Sequence, residues 1–180
     1  MPTKMTVVIC HVALAAWVAS VSGCANSHSA DLPSPSERSE PHEALAFYEG
    51  TWTILDKEHE GYRETCSWLD EVRRHIVCRA RVQRADGLRE SLGVYSYDPA
   101  RGEYLYHGFG SRGVISTERG QRIPSGFHFT SERGTGADRV RTRFTIVEGA
   151  QGRVNTVSET SKAEGPWVVD ERLEYLRTRP

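Results

Sequence analysis

Lysine is almost missing from this chain: of 23 basic side chains only Lys4, Lys57 and Lys162 are lysines, and the arginines alternate with glutamate and aspartate along the sequence. The formal net charge is -1, and no stripe of one sign forms that would track phosphates, which argues against nucleic acid as a partner. There is no phosphate-cradling Gly-Lys loop, no dinucleotide glycine set, no Gly-x-Ser-x-Gly elbow around Ser91, Ser111 or Ser116, and no zinc-peptidase helix. His75, His107 and His128 fall in strand-like segments but share no ligand-like spacing. No cofactor and no metal is therefore expected, and no catalytic residue is nominated.

Cysteine is also scarce, with four in the chain, and position sorts them. Met1 to Lys4 form a short basic region and Met5 to Ser20 an apolar one, followed by Val21-Ser22-Gly23-Cys24. This order reads as a bacterial lipoprotein signal with cleavage before Cys24. The apolar run is shorter than the ~20 residues of a spanning helix and contains His11. The alternatives are an ordinary secretory signal with a chance cysteine, or an uncleaved anchor. On the lipoprotein reading, residues 1–23 are the signal and Cys24 carries lipid, since two or more acyl chains anchor stably where one does not. Membrane contact through acylated Cys24 places the protein in the cell envelope. Ala25 favours an outer membrane facing the periplasm in a Gram-negative cell.

Residues 24–40, poor in apolar side chains and rich in Ser, Pro and acids, read as a flexible tether. The folded domain is expected over 41–177. Pro41 to Tyr48 suits a short helix stopped by Gly50. Beyond it, runs rich in Val, Ile, Tyr, Phe and Thr recur every ~8–14 residues between turn signals such as Arg84-Ala-Asp-Gly87 and Asp98-Pro-Ala-Arg-Gly102. Short connectors make sequential strands antiparallel neighbours. The expected fold is all-β, an antiparallel up-and-down barrel of about 8–10 strands that closes and so removes its edges. In the segment from Arg139 to Val147, Val140, Thr142, Phe144 and Ile146 alternate with Arg139, Arg141, Arg143 and Thr145, which favours an outer Arg face over the alternative of an arginine clamp for an anionic ligand inside the barrel.

Cys66 and Cys78 are the pair left in the domain. A hairpin turning near Val72 would set them opposite each other on one face, as a disulfide or as two buried thiols. If Cys66 and Trp68 face inward, strand parity carries Glu64 inward as well. An inward carboxylate needs a partner and becomes a candidate for binding or proton transfer. The general scarcity of buried, unpaired carboxylates instead favours a solvated place at the barrel rim.

The helix followed by Phe47-Tyr-Glu-Gly50-Thr-Trp52 resembles the entry to lipocalin-like (calycin) barrels. That resemblance implies that Trp52 packs across a closed barrel end against an arginine of the last strand, either Arg172 or Arg177. A closer resemblance spans roughly Leu45 to Arg177: Glu64-Thr-Cys-Ser-Trp68, His75-Ile-Val-Cys78, Leu92-Gly-Val-Tyr-Ser-Tyr-Asp98-Pro99 and Tyr104 to Gly113 look like the bacterial family called domain of unknown function 1579. It implies a ligand-holding β-barrel and no catalytic set. The family's glycine-rich turn between its second and third strands is replaced here by Asp70-Glu-Val-Arg73.

These readings lead to a lipid-anchored barrel that binds a small hydrophobic or amphipathic molecule without chemistry. Its expected ligand-binding residues are Trp52, Glu64, Trp68, Tyr95, Tyr106, His107, Phe127 and Phe129. The alternatives are a structural partner in an envelope complex, and a calycin-fold cyclase, isomerase or hydrolase using Glu64 or His107 with a tyrosine.

Overall fold

Ten strands separated by short turns leave no segment long enough for a crossover helix, and the chain closes on itself accordingly. A computed structural model describes residues 40–56 and 59–178. The signal segment, Cys24 and nearly all of the tether lie outside the described residues. The described chain starts with a helix, α1 (Glu40–Ala44), that tightens into a 3-10 turn, Leu45–Tyr48. The strands are β1 (Gly50–Ile54), β2 (Arg63–Trp68), β3 (His75–Arg84), β4 (Gly87–Asp98) and β5 (Glu103–Gly110), then β6 (Ile115–Ile123), β7 (Gly126–Arg133), β8 (Val140–Glu148), β9 (Arg153–Lys162) and β10 (Val168–Thr178). Every neighbouring pair is antiparallel, and β1 pairs with both β2 and β10 to close the barrel.

Odd-numbered strands run from the helix end toward the opposite end. The helix end is shut. Leu45 is fully buried there, the Tyr48 ring stacks on Tyr95 at 4.0 Å between centroids, and Phe47 meets Phe127 edge-on at 5.7 Å. The Tyr104 hydroxyl donates to the Pro41 carbonyl oxygen at 3.1 Å, fixing the entering chain across the barrel floor. Of the two arginines considered for the Trp52 position, the fold uses Arg177. It stands directly across from Trp52, its guanidinium lies 4.5 Å from the ring centroid, and its Nη2 donates to the Phe47 carbonyl oxygen at 2.9 Å. Arg172 has the opposite strand parity and pairs with Val157.

The turn between β2 and β3 closes without glycine. Arg73 takes a left-handed backbone (φ 56°), and its amide N–H donates to Asp70 Oδ1 at 3.1 Å, so an Asp side chain stabilises what glycine would otherwise permit. The Arg73 guanidinium then covers the Trp68 ring at 4.6 Å. On β8 the arginines face outward: Arg143 forms a two-pronged pair with Glu159, and the Trp167 ring lies 4.4 Å from Arg143 and 5.3 Å from Arg141.

Candidate functional site

The end opposite the helix is open. A cavity of about 620 Å³ descends from it into the barrel, bounded below by the rings that plug the floor. Two glycines shape its wall. Gly93 on β4 stands opposite Gly108 on β5, and the Tyr106 ring lies over both: a Cβ at Gly93 would come within 2.9 Å of Tyr106 Cε2, and one at Gly108 within 2.8 Å of its hydroxyl. With no side chain beneath it, the ring lies along the wall instead of crossing the space.

Cys66 and Cys78 sit directly opposite each other on β2 and β3, face inward and are joined as a disulfide. Glu64 is one inward position from Cys66 toward the mouth, with its carboxylate oxygen and the two sulfurs within 4.8 Å of one another. Glu64 lines the cavity and is not at the rim. The Tyr62 hydroxyl donates to Glu64 Oε2 at 3.1 Å, which supplies the partner that an inward carboxylate requires. Burial raises the Glu64 pKa above its ordinary value, and the Tyr62 hydrogen bond works the other way without cancelling it.

Five tyrosines share this wall: Tyr48, Tyr62, Tyr95, Tyr106 and Tyr175. Burial is the main reason their phenols resist ionisation, with the Glu64 charge adding to it, and Tyr106 is pushed up to about 12. The Tyr48 hydroxyl is buried without a hydrogen-bond partner among the described residues, on a residue 6% exposed. Glu118 on β6, facing Tyr106 across the strand pair, is a second carboxylate in the lining, and burial raises its pKa too.

Of the eight expected ligand-binding residues, Trp52, Glu64, Tyr95 and Tyr106 line the cavity and four do not. His107 follows inward-facing Tyr106, so parity turns it outside, where its Nδ1 is 3.2 Å from Thr117 Oγ1. Phe127 and Phe129 face inward but belong to the floor, 1% and 0% exposed beneath the tyrosine layer. Trp68 packs at the shut end, its Nε1 donating to Glu49 Oε2 at 3.1 Å. Tyr48, Tyr62, Tyr175 and Glu118 are the cavity residues that sequence reasoning passed over.

The arrangement can hold a molecule with an apolar body, offer it hydroxyl donors and acceptors, and present two carboxylates, Glu64 and Glu118, that have no basic partner among the described residues. Among the described residues no serine–histidine pair or converging histidines accompany them. Comparison of the chain with protein-family models and with curated proteins finds no match in either.

Proposed function

We propose that this protein is a lipid-anchored envelope barrel that binds a small hydrophobic or amphipathic molecule, and that it is a relative of the domain of unknown function 1579 family. The observation that carries the binding reading is the open cavity of about 620 Å³ in a closed barrel, within the size range of small-molecule sites. A barrel packed for stability alone fills this space with side chains. Here Gly93 and Gly108 clear it. The anchor rests on Val21-Ser22-Gly23-Cys24 and on the tether composition. Glu40 and Pro41 lie at the shut end, against Arg122 and Tyr104 respectively, so the mouth opens on the side away from the point where the tether joins the barrel.

The test is native mass spectrometry and solvent extraction of the full chain purified from its membrane fraction. The expected result is a small molecule that leaves on extraction, and a Cys24→Ser variant that moves to the soluble fraction. A barrel that is empty as isolated and takes up no apolar probe would overturn the binding reading.

A second reading, an enzyme of the same fold, is favoured by one observation: Glu64 and Tyr62 are hydrogen-bonded inside an open cavity, the contact a proton-transfer pair needs. The extracted molecule separates the two readings. Recovery of one compound, unchanged on incubation with fresh protein, supports binding, and its conversion supports catalysis.

A further inference from the structure

We infer that the molecule held in this cavity is an organic cation, a protonated amine or quaternary ammonium on an apolar body, seated between Glu64 and Glu118 against the tyrosine faces. This rests on the binding reading above and names its ligand class.

The charge distribution of the wall carries the inference. Glu64 accepts a hydrogen bond from Tyr62, and among the described residues no arginine, lysine or histidine is paired with it or with Glu118. The other lining carboxylates are engaged: Glu132 with Arg139, Glu159 with Arg143 and Asp170 with the Thr160 hydroxyl. Neither lining arginine is paired with Glu64 or Glu118 among the described residues. Arg143 is committed to Glu159 and Trp167 on the outer face, and Arg133 is exposed at the end of β7 at the mouth. Two carboxylates on a half-buried wall with no basic side chain paired to either give a negative potential inside whenever they ionise, strengthened by low-dielectric surroundings.

The aromatic lining points the same way. Tyr62, Tyr106 and Tyr175 are the half-buried rings of the wall with surface left to offer, while Tyr48 and Tyr95 stack on each other at 4.0 Å and back Tyr106, whose ring lies 4.7 Å from Tyr95. Ring faces attract ammonium groups through their quadrupole, and aromatic walls closed by a carboxylate are how such groups are held. Tyr48 also lines the cavity, and its buried hydroxyl has no hydrogen-bond partner among the described residues. An inorganic cation fits less well. It requires several oxygens converging at ~2.0–2.6 Å, whereas Glu64 is flanked by a phenol and a disulfide in a cavity of about 620 Å³. Burial raises the pKa of both carboxylates, and a cation seated beside either one favours its charged form and opposes that shift.

The experiment compares octylamine, octan-1-ol and octanoate, three probes of equal chain length and different head charge, by isothermal titration calorimetry on the full chain at neutral pH. The expected result is octylamine binding at least about ten-fold tighter than either of the others, a difference of about 1.4 kcal/mol. Glu64→Gln should remove that preference, bringing octylamine to within about three-fold of octan-1-ol on the same variant, with far-UV circular dichroism and a cooperative urea transition showing that the variant is folded. Glu118→Gln is the second variant and should reduce the preference in the same sense. Equal binding of all three, or tightest binding of octanoate, overturns the cation inference and leaves the binding barrel standing. Binding of none overturns both.

Discussion

The Tyr62 hydroxyl donates a 3.1 Å hydrogen bond to Glu64 Oε2, from the residue just ahead of β2 to an inward position within it. The contact ties the loop at the mouth to the acidic point of the wall. It also lets a carboxylate stay inside a barrel where its charged form is poorly solvated. The surroundings of Glu64 include Tyr62, the phenols of Tyr48, Tyr95, Tyr106 and Tyr175, and the Cys66–Cys78 disulfide.

That environment makes folding stability depend on pH in a defined direction. The folded Glu64 binds its proton more tightly than an unfolded chain with the ordinary value of 4.5. From about that pH upward to the raised pKa, the folded state holds a proton that the unfolded state has lost, so stability falls as pH rises through this window and then levels. Glu118 adds a slope of the same sign. Glu64→Gln removes the Glu64 part, and urea unfolding should show the variant gaining on the parent as pH rises through the window and holding that gain on the plateau. A parallel pair of stability curves across the window would contradict it.

The disulfide links facing residues of adjacent strands across 12 positions of chain. Its main effect is on the unfolded chain, so a Cys66→Ser, Cys78→Ser double variant should lose about 2–3 kcal/mol. Urea unfolding of the parent with and without a dithiol reductant should reproduce the difference. Unfolding midpoints that do not respond to either change would rule out a stabilising bridge.

Gly93 and Gly108 are required by Tyr106. Gly93→Ala would force the Tyr106 ring off the wall and into the cavity, with an overpacking cost of about 1–3 kcal/mol and weaker uptake of octan-1-ol. Combining Gly93→Ala with Tyr106→Ala should cost less than the sum of the two single changes, because the second removes the group the first collides with. Strict additivity in that cycle would show that the ring and the glycine do not meet.

Much of the fold was legible because its causes are local. Strand segments announced themselves by alternation and turn residues, and the ten strands lie within a few residues of the runs that Val, Tyr, Phe and Thr mark out. Parity correctly set Glu64 on the side of Cys66, and the hairpin placed Cys66 across from Cys78. The candidate site was legible only in part, because a polar cavity wall resembles a solvent-facing surface. Ser116, Glu118 and Gly120 look like the outer face of β6, yet Glu118 lines the cavity and Phe129 packs over Gly120. His107 and Tyr106 differ by one position, and a cluster of aromatics does not say which of them takes the inside.

The amino-acid sequence by itself determined an all-β chain with short antiparallel connections, because side-chain alternation and turn chemistry act over a few residues. Tertiary structure decided what that barrel encloses. Which end is shut depends on Tyr48 from the helix reaching Tyr95 on β4, and which carboxylates face each other's space depends on closing β1 against β10. The cavity is a property of distant strands meeting around glycine, and its carboxylate- and tyrosine-lined interior exists only once the barrel is closed.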